Sequence, residues 1–276
     1  MADDFERRFI DTGEVKLNIV DEGVGFPVLL LHGFPDTSRM WRNQIPALTE
    51  AGYRVIAPDL RGFGESDRPS GIRAYEMSKI LADLTGLLDR LGIGEANVVG
   101  HDWGAITAWG FAGHHPYRTK RLVAVSVGHP AGFTRPSLSQ MRKSWYVFCF
   151  QIPWVAEIAF SAGHWALLRA AFGGSPDFDR YVEDLSKPGA LTAGLNWYRA
   201  NTRPDRILQN RRLYPRVKTD TLGIWGSKDW ALTEGQMTAS KKFVDGNWRY
   251  ERLEAGHWIP LRRAEILNQL LLDFFD

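Results

Sequence analysis

Cysteine is nearly missing from this sequence: Cys149 stands alone among 276 residues. A single thiol excludes a disulfide framework and any metal site built on several cysteines. Charge of one sign is missing as well. The 34 Lys and Arg residues are balanced by 32 Asp and Glu residues, without the clustered basic face that nucleic acid requires, so no nucleic-acid partner is expected. No uninterrupted apolar run reaches the roughly 18 residues that a spanning helix needs. The nearest candidate, residues 145–168, is broken by Gln151, Pro153, Glu157 and His164; buried or cleft-lining helices are expected there, and no membrane partner. No His-Glu-x-x-His spacing occurs, and Gly62-Phe63-Gly64 lacks both a third glycine and a following Gly-Lys-Ser/Thr. Neither a metal nor a nucleotide site is expected. The first nine residues are charged and carry no apolar leader, which points to the cytosol.

What is present is the balance of a globular enzyme-sized chain, 44% apolar and 24% charged. Short apolar runs at 28–31, 54–57, 97–99, 122–127 and 221–225 alternate with amphipathic segments at 39–51, 77–91 and 105–114. Alternation of this kind predicts an α/β fold, a mostly parallel sheet with helices on both faces. The segments 5–10 and 15–20 alternate residue by residue around Asp11-Thr12-Gly13 and predict an antiparallel hairpin at the sheet edge. Between about Pro130 and Pro215 strand patterning stops, and the chain turns helical and rich in Trp and Arg. The expected organisation is core (1–130), an inserted helical cap (131–211), and core again (212–276).

In parallel sheets functional groups collect at the carboxyl ends of strands. Asp102 follows Val98-Val99-Gly100-His101, Asp229 follows the 221–225 run, and His257 follows a strand at 250–253. Nucleophile, acid and histidine come in the chain order of an α/β-hydrolase triad. Gly100-x-Asp102-x-Gly104 has the form of a nucleophile elbow with aspartate in place of serine. The alternative is a plain strand-to-helix turn. A carboxylate needs no proton removed before it attacks, and at an sp³ carbon it forms an alkyl ester. His257, oriented by Asp229, would then activate water against that ester. The His32-Gly33-Phe34-Pro35 turn faces the elbow in such a fold. The backbone amides of Phe34 and Trp103 are the candidate oxyanion donors; the plainer reading of the turn is a tight, proline-fixed exit.

His32-Gly33-Phe34-Pro35, Asp59-Leu60-Arg61-Gly62-Phe63-Gly64-Glu65-Ser66, Gly100-His101-Asp102-Trp103-Gly104 and Gly256-His257-Trp258 resemble the α/β-hydrolase fold epoxide hydrolases, and the related haloalkane dehalogenases share much of this. The likeness runs over nearly the whole chain. It includes Trp145–Pro153 and Gly194–Arg199, which look like the two cap segments that carry the epoxide hydrolases' tyrosines. By that resemblance Tyr146 and Tyr198 reach down over Asp102, although Trp145 competes with Tyr146 for the inward position. Two phenols with pKa near 10 can donate to an epoxide oxygen while staying protonated at neutral pH. The implied activity is hydrolysis of a hydrophobic epoxide to a vicinal diol, in a detoxifying role, with no cofactor or metal and a small-molecule partner. A homodimer is left open.

Two alternatives stand beside it. A haloalkane dehalogenase would use the same Asp102, His257 and Asp229, with Trp103 and the cap tryptophans as halide partners; against it, Phe34 stands where those enzymes usually carry an Asn, and a fluoroacetate dehalogenase would be expected to place Arg where Trp103 stands. A non-catalytic hydrolase-fold receptor is disfavoured because every catalytic position holds a competent residue. The remaining polar residues have plain readings: His101 structural and turned from the cleft, His114 and His115 at a helix end, His129 in a tunnel wall or an exposed loop, and His164 in the core. Asp59, Arg61, Glu65, Ser66 and Asp67 read as a supporting loop, and Arg206, Arg211, Arg212 and Arg216 as a solvated face.

Overall fold

The apolar strand at Phe26–Leu31 divides its side chains by parity. Leu29 and Leu31 enter one core, Val28 and Leu30 the other, as the two-residue side-chain period of a strand requires. The computed structural model describes residues 5–134, 137–172 and 174–276. Eight strands form one sheet: β1 (Arg7–Asp11), β2 (Lys16–Glu22), β3 (Phe26–Leu31), β4 (Tyr53–Pro58), β5 (Ala96–His101), β6 (Thr119–Val125), β7 (Thr221–Gly226) and β8 (Trp248–Leu253). Their order is β1-β2-β4-β3-β5-β6-β7-β8. β1, β2 and β4 pair antiparallel and β3 to β8 pair parallel. The expected edge hairpin is there, its strands displaced by one or two residues from the expected limits.

The parity rule holds in the neighbours. Ile56 and Val98 join one core; Val55, Ala57, Val99 and Val123 join the other. Helix Met77–Arg90 covers the first face with Ile80, Leu84, Leu87 and Leu88. Helices Gln44–Glu50 and Ala264–Phe275 cover the second, the latter through Leu267, Leu270, Leu271 and Phe274 at helical spacing. Each such fully buried leucine contributes about 1.5–3 kcal/mol of apolar burial. The sheet is thereby fixed, and so are the positions of its strand ends.

β6 and β7 are neighbours, with Leu122 opposite Thr221, so the chain between them is inserted at the sheet's carboxyl edge. Its described residues form helices and no strand: among them Leu138–Lys143, Trp145–Phe150, Val155–Phe172, Phe178–Ser186 and Ala190–Asn201. The expected burial of residues 145–168 is only half met. Tyr146, Phe150, Ala156, Phe160 and Leu168 are buried, whereas Phe148, Ile152, Trp154, Val155 and Ile158 are exposed, because a helix lying on a surface hides one face only. His164 is also exposed, with a left-handed backbone from Gly163 to Trp165, and is not a core residue. No helix among the described residues is long and apolar enough to cross a membrane.

Candidate active site

Asp102 sits between the end of β5 and helix Trp103–His114 with φ 53° and ψ −120°, a region that L residues enter only under constraint. The constraint is local. Asp102 N–H reaches Val125 O of β6, while its carbonyl accepts from Ala105 and Ile106. At Gly104 any Cβ would overlap the carbonyl oxygens of Leu31 and His32, so only glycine lets the helix start this close to β3. The carboxyl group is thereby carried at a helix amino end, which favours negative charge.

The turn after β3 supplies the opposite wall. The Phe34–Pro35 peptide is cis, and the Phe34 amide donates to Asp102 Oδ1 at 3.0 Å. His32 is buried beneath, its Nε2 accepting from Leu60 N–H at 2.9 Å; burial holds its imidazole neutral, below the usual histidine range. The Trp103 amide, the other candidate donor, is the first of the helix, where N–H groups have no intrahelical acceptor.

Asp229 and His257 arrive from β7 and β8. Asp229 Oδ1 accepts the amides of Ala231 (2.8 Å) and Leu232 (2.9 Å), and Oδ2 faces His257 Nδ1 at 2.9 Å. His257 Nε2 lies 3.6 Å from Asp102 Oδ2. Ser126 Oγ and His101 Nε2 both bond the His257 carbonyl at 3.0 Å, so the ends of β5 and β6 orient the loop after β8. His101 has the structural place expected of it. Burial opposes charge on His257, but the Asp229 carboxylate and the contacts to both aspartates win, and its pKa is pushed up to about 10. Asp229 is likewise penalised by burial, yet His257 and the two backbone amides hold it below the ordinary aspartate value.

Over this group lie the two tyrosines. Tyr146, on Trp145–Phe150, is buried while Trp145 is 43% exposed, which decides the inward position for Tyr146. Tyr198, on Ala190–Asn201, is buried and stands perpendicular to the Trp103 ring at 5.1 Å between centroids. The Tyr146 and Tyr198 centroids are 6.2 Å apart. Burial first, then the negative charge of Asp102, pushes both phenols well above their usual pKa. They therefore stay protonated. The Trp103 indole beside Tyr198 can only donate, so it does not take up the phenol proton. Arg199, next in sequence, donates to Phe150 O (2.8 Å) and grips Glu157 with two bonds of 2.7 and 2.8 Å, tying the two tyrosine helices together.

Several residues in the site carry no motif signal. The Phe34 ring, beyond its amide, meets Phe63, Phe150, Phe172 and Tyr198 at 5.4–6.3 Å. Trp230 packs 5.4 Å from both Tyr146 and Phe172 and 6.1 Å from His257. The only sequence signal for Trp230 was its place beside Asp229. His129 lines no tunnel: it is buried, stacked 4.6 Å from Phe243 and bonded to Pro215 O. Asp59 accepts from Ser38 and Asn18 inside the supporting loop, and Arg61 is buried against Asp83.

The pattern of the family described as the alpha/beta hydrolase fold matches residues 27–264. The chain belongs to the α/β-hydrolase fold family and is a hydrolase of that family. The Bacillus subtilis protein named AB hydrolase superfamily protein YfhM is 35% identical to it, over 97% of this chain and 96% of its own length. Epoxide hydrolase A of Mycobacterium tuberculosis is 32% identical, over 97% of this chain and 96% of its own. The crystal structure of Bacillus megaterium epoxide hydrolase in complex with an inhibitor superposes with a TM-score of 0.88 at 27% identity, covering 97% of this chain and 99% of that one.

Proposed function

We propose that this hydrolase opens a hydrophobic epoxide to a vicinal diol through an alkyl ester on Asp102. The observation that carries the reading is the pair of buried, protonated phenols, Tyr146 and Tyr198, packed over a carboxylate on a strained turn. The names borne by the relatives support it. So do the aromatic walls, Phe34, Phe150, Phe172 and Trp230, which suit an apolar substituent. Residues 131–211 act as the cap that closes the site over the core formed by 1–130 and 212–276.

The chemistry follows from the two carboxylate oxygens. Oδ1 is held by the Phe34 amide, so Oδ2 attacks the epoxide carbon. The C–O bond breaks, its electron pair stays on the ring oxygen, and the phenols donate a proton to it. Esterification neutralises Asp102 and removes one of the two carboxylates that raise the His257 pKa. The imidazolium then releases its proton more readily; that proton restores the phenol by way of water, and the neutral imidazole accepts one from the attacking water. Hydroxide attacks Cγ, negative charge gathers on Oδ1 at the Phe34 and Trp103 amides, and collapse expels the diol with Oδ2 as that oxygen takes the imidazolium proton; the new carboxyl group then returns a proton to the imidazole, restoring the Asp102 carboxylate. Asp229 holds the imidazole in the required orientation throughout.

A single turnover in heavy-oxygen water with enzyme in excess tests this. The first diol should carry an unlabelled oxygen taken from Asp102. Label in that first diol overturns the ester route, and full activity in Asp102→Asn does the same.

A further inference from the structure

Gln140 is buried in helix Leu138–Lys143, outside the site residues named so far, and its amide is fully used. Nε2 donates to Ala231 O at 2.8 Å and to Ser144 Oγ at 3.0 Å. Oε1 accepts from Thr233 N at 3.0 Å and from Thr233 Oγ1 at 3.1 Å. Two donors and two acceptors are all that a carboxamide offers. The partners are telling. Ala231 is one of the two residues whose amides hold Asp229 Oδ1, and Trp230 between them packs on Tyr146. On the other side, Ser144 Oγ accepts from Gln140 Nε2 while Ser144 N–H donates to the Gln140 carbonyl at 3.0 Å, and Val147 N–H donates to Ser144 O at 3.0 Å, leading directly into the turn that carries Tyr146. Lys143 Nζ reaches the Asp229 carbonyl beside it.

We infer that Gln140 is a positioning residue, a bracket that sets the Tyr146 helix against the 229–233 turn and so fixes the phenol over Asp102. This rests on the epoxide hydrolase reading above. The two halves are not equally dependent on it. Asp229 is also held by the Ala231 and Leu232 amides and by His257, whereas the segment leading to Tyr146 meets the 229–233 turn through Gln140, with Lys143 beside it. Loss of the bracket should therefore displace Tyr146 and leave the triad in place. Only an amide meets both partners: glutamate keeps the Thr233 acceptor but turns a carboxylate toward the Ala231 carbonyl, and methionine keeps the volume but makes none of the four bonds.

The test is Gln140→Met and Gln140→Glu in the full chain, with styrene oxide as probe and the two steps separated by rapid mixing. A misplaced catalytic group costs on the order of 10²-fold, so ester formation should slow by about 10- to 100-fold in both variants, while ester hydrolysis stays within about threefold of wild type. Equal slowing of both steps, or wild-type ester formation, overturns the bracket, because a generally loosened fold does not select one step. Hydrogen–deuterium exchange decides independently of turnover: faster exchange in 138–150 is expected, with the Ala231 and Leu232 amides that Asp229 holds unchanged and Thr233, which loses its acceptor in Gln140→Met, released; unchanged exchange in 138–150 overturns the inference. A wild-type enzyme that forms no diol from any of a panel of epoxides overturns the underlying reading instead, and the exchange result still stands or falls alone.

Discussion

The Phe34 amide and Asp102 Oδ1 are 3.0 Å apart, and Oδ2 of the same carboxylate faces His257 Nε2 at 3.6 Å. One carboxyl group therefore has two chemically distinct ends. Oδ1 already occupies the place where charge collects when an ester at Cγ is attacked. A donor in place beforehand needs no reorganisation when the charge develops.

Gly33 guards that contact. A Cβ on it would overlap Cβ and Oδ1 of Asp102, pushing the carboxylate off the amide. Gly33→Ala is expected to lower kcat by about 10²–10³-fold with an unchanged far-UV circular dichroism spectrum. Wild-type kcat in that variant would contradict the oxyanion assignment.

The phenols can be removed one at a time. Tyr146→Phe and Tyr198→Phe should each reduce kcat/KM for styrene oxide, and the double variant should lose about 10²–10⁴-fold, the usual worth of general acid catalysis. Both rings stay in the aromatic packing, so thermal midpoints should barely move. A double variant that retains half its activity would remove the case for epoxide opening.

Stability should follow the triad's titration. His257 binds its proton more tightly folded than unfolded, so its contribution is complete below the ordinary value near 6.5, shrinks as pH rises and is gone above about 10. Asp229 acts in the opposite sense: its contribution is complete above the ordinary aspartate range and is lost as pH falls through its lowered value. Thermal midpoints measured from pH 7 to 10 should decline in wild type and flatten in His257→Gln. Parallel curves would show that the pair adds nothing to stability.

Asp36, two residues past Phe34, is a second titrating group. Burial pushes its carboxyl up to about 8, against the lowering hydrogen bond from the Tyr181 hydroxyl at 2.7 Å. The folded protein therefore holds it neutral while the unfolded chain ionises it, which favours folding at low pH and costs stability as pH climbs toward 8. Asp36→Asn keeps an acceptor for Tyr181 and cannot ionise. Its thermal midpoint should exceed wild type at pH 8 and match it at pH 4, by roughly 2–4 °C for each kcal/mol recovered. A midpoint that drops equally at both pH values would mean that the carboxyl is needed for its shape alone.

Much of this was legible before folding. Apolar runs alternating with amphipathic segments such as 77–91 pointed to the sheet, and the residue-by-residue alternation of 5–10 and 15–20 to its edge hairpin, because both patterns are set by local chain geometry. Asp102, Asp229 and His257 were legible because a parallel sheet delivers strand ends to one edge. The aromatic walls were not: Phe150, Phe172 and Trp230 look like any core residues until the fold brings them against Phe34 and His257, and Gln140 has no motif because its partners Ala231 and Thr233 lie 91 and 93 residues away.

The amino-acid order alone determined which residues could do chemistry here, since Gly-x-Asp-x-Gly between strand and helix, a later Asp and a later His are local facts about backbone and side-chain type. Only the tertiary structure decided that Tyr146 rather than Trp145 turns inward, that Trp103 and Tyr198 stand edge to face, and that Oδ1 and Oδ2 differ. Those outcomes depend on contacts between segments far apart in the chain, where packing and hydrogen-bond geometry, not local propensity, set the angle of each side chain.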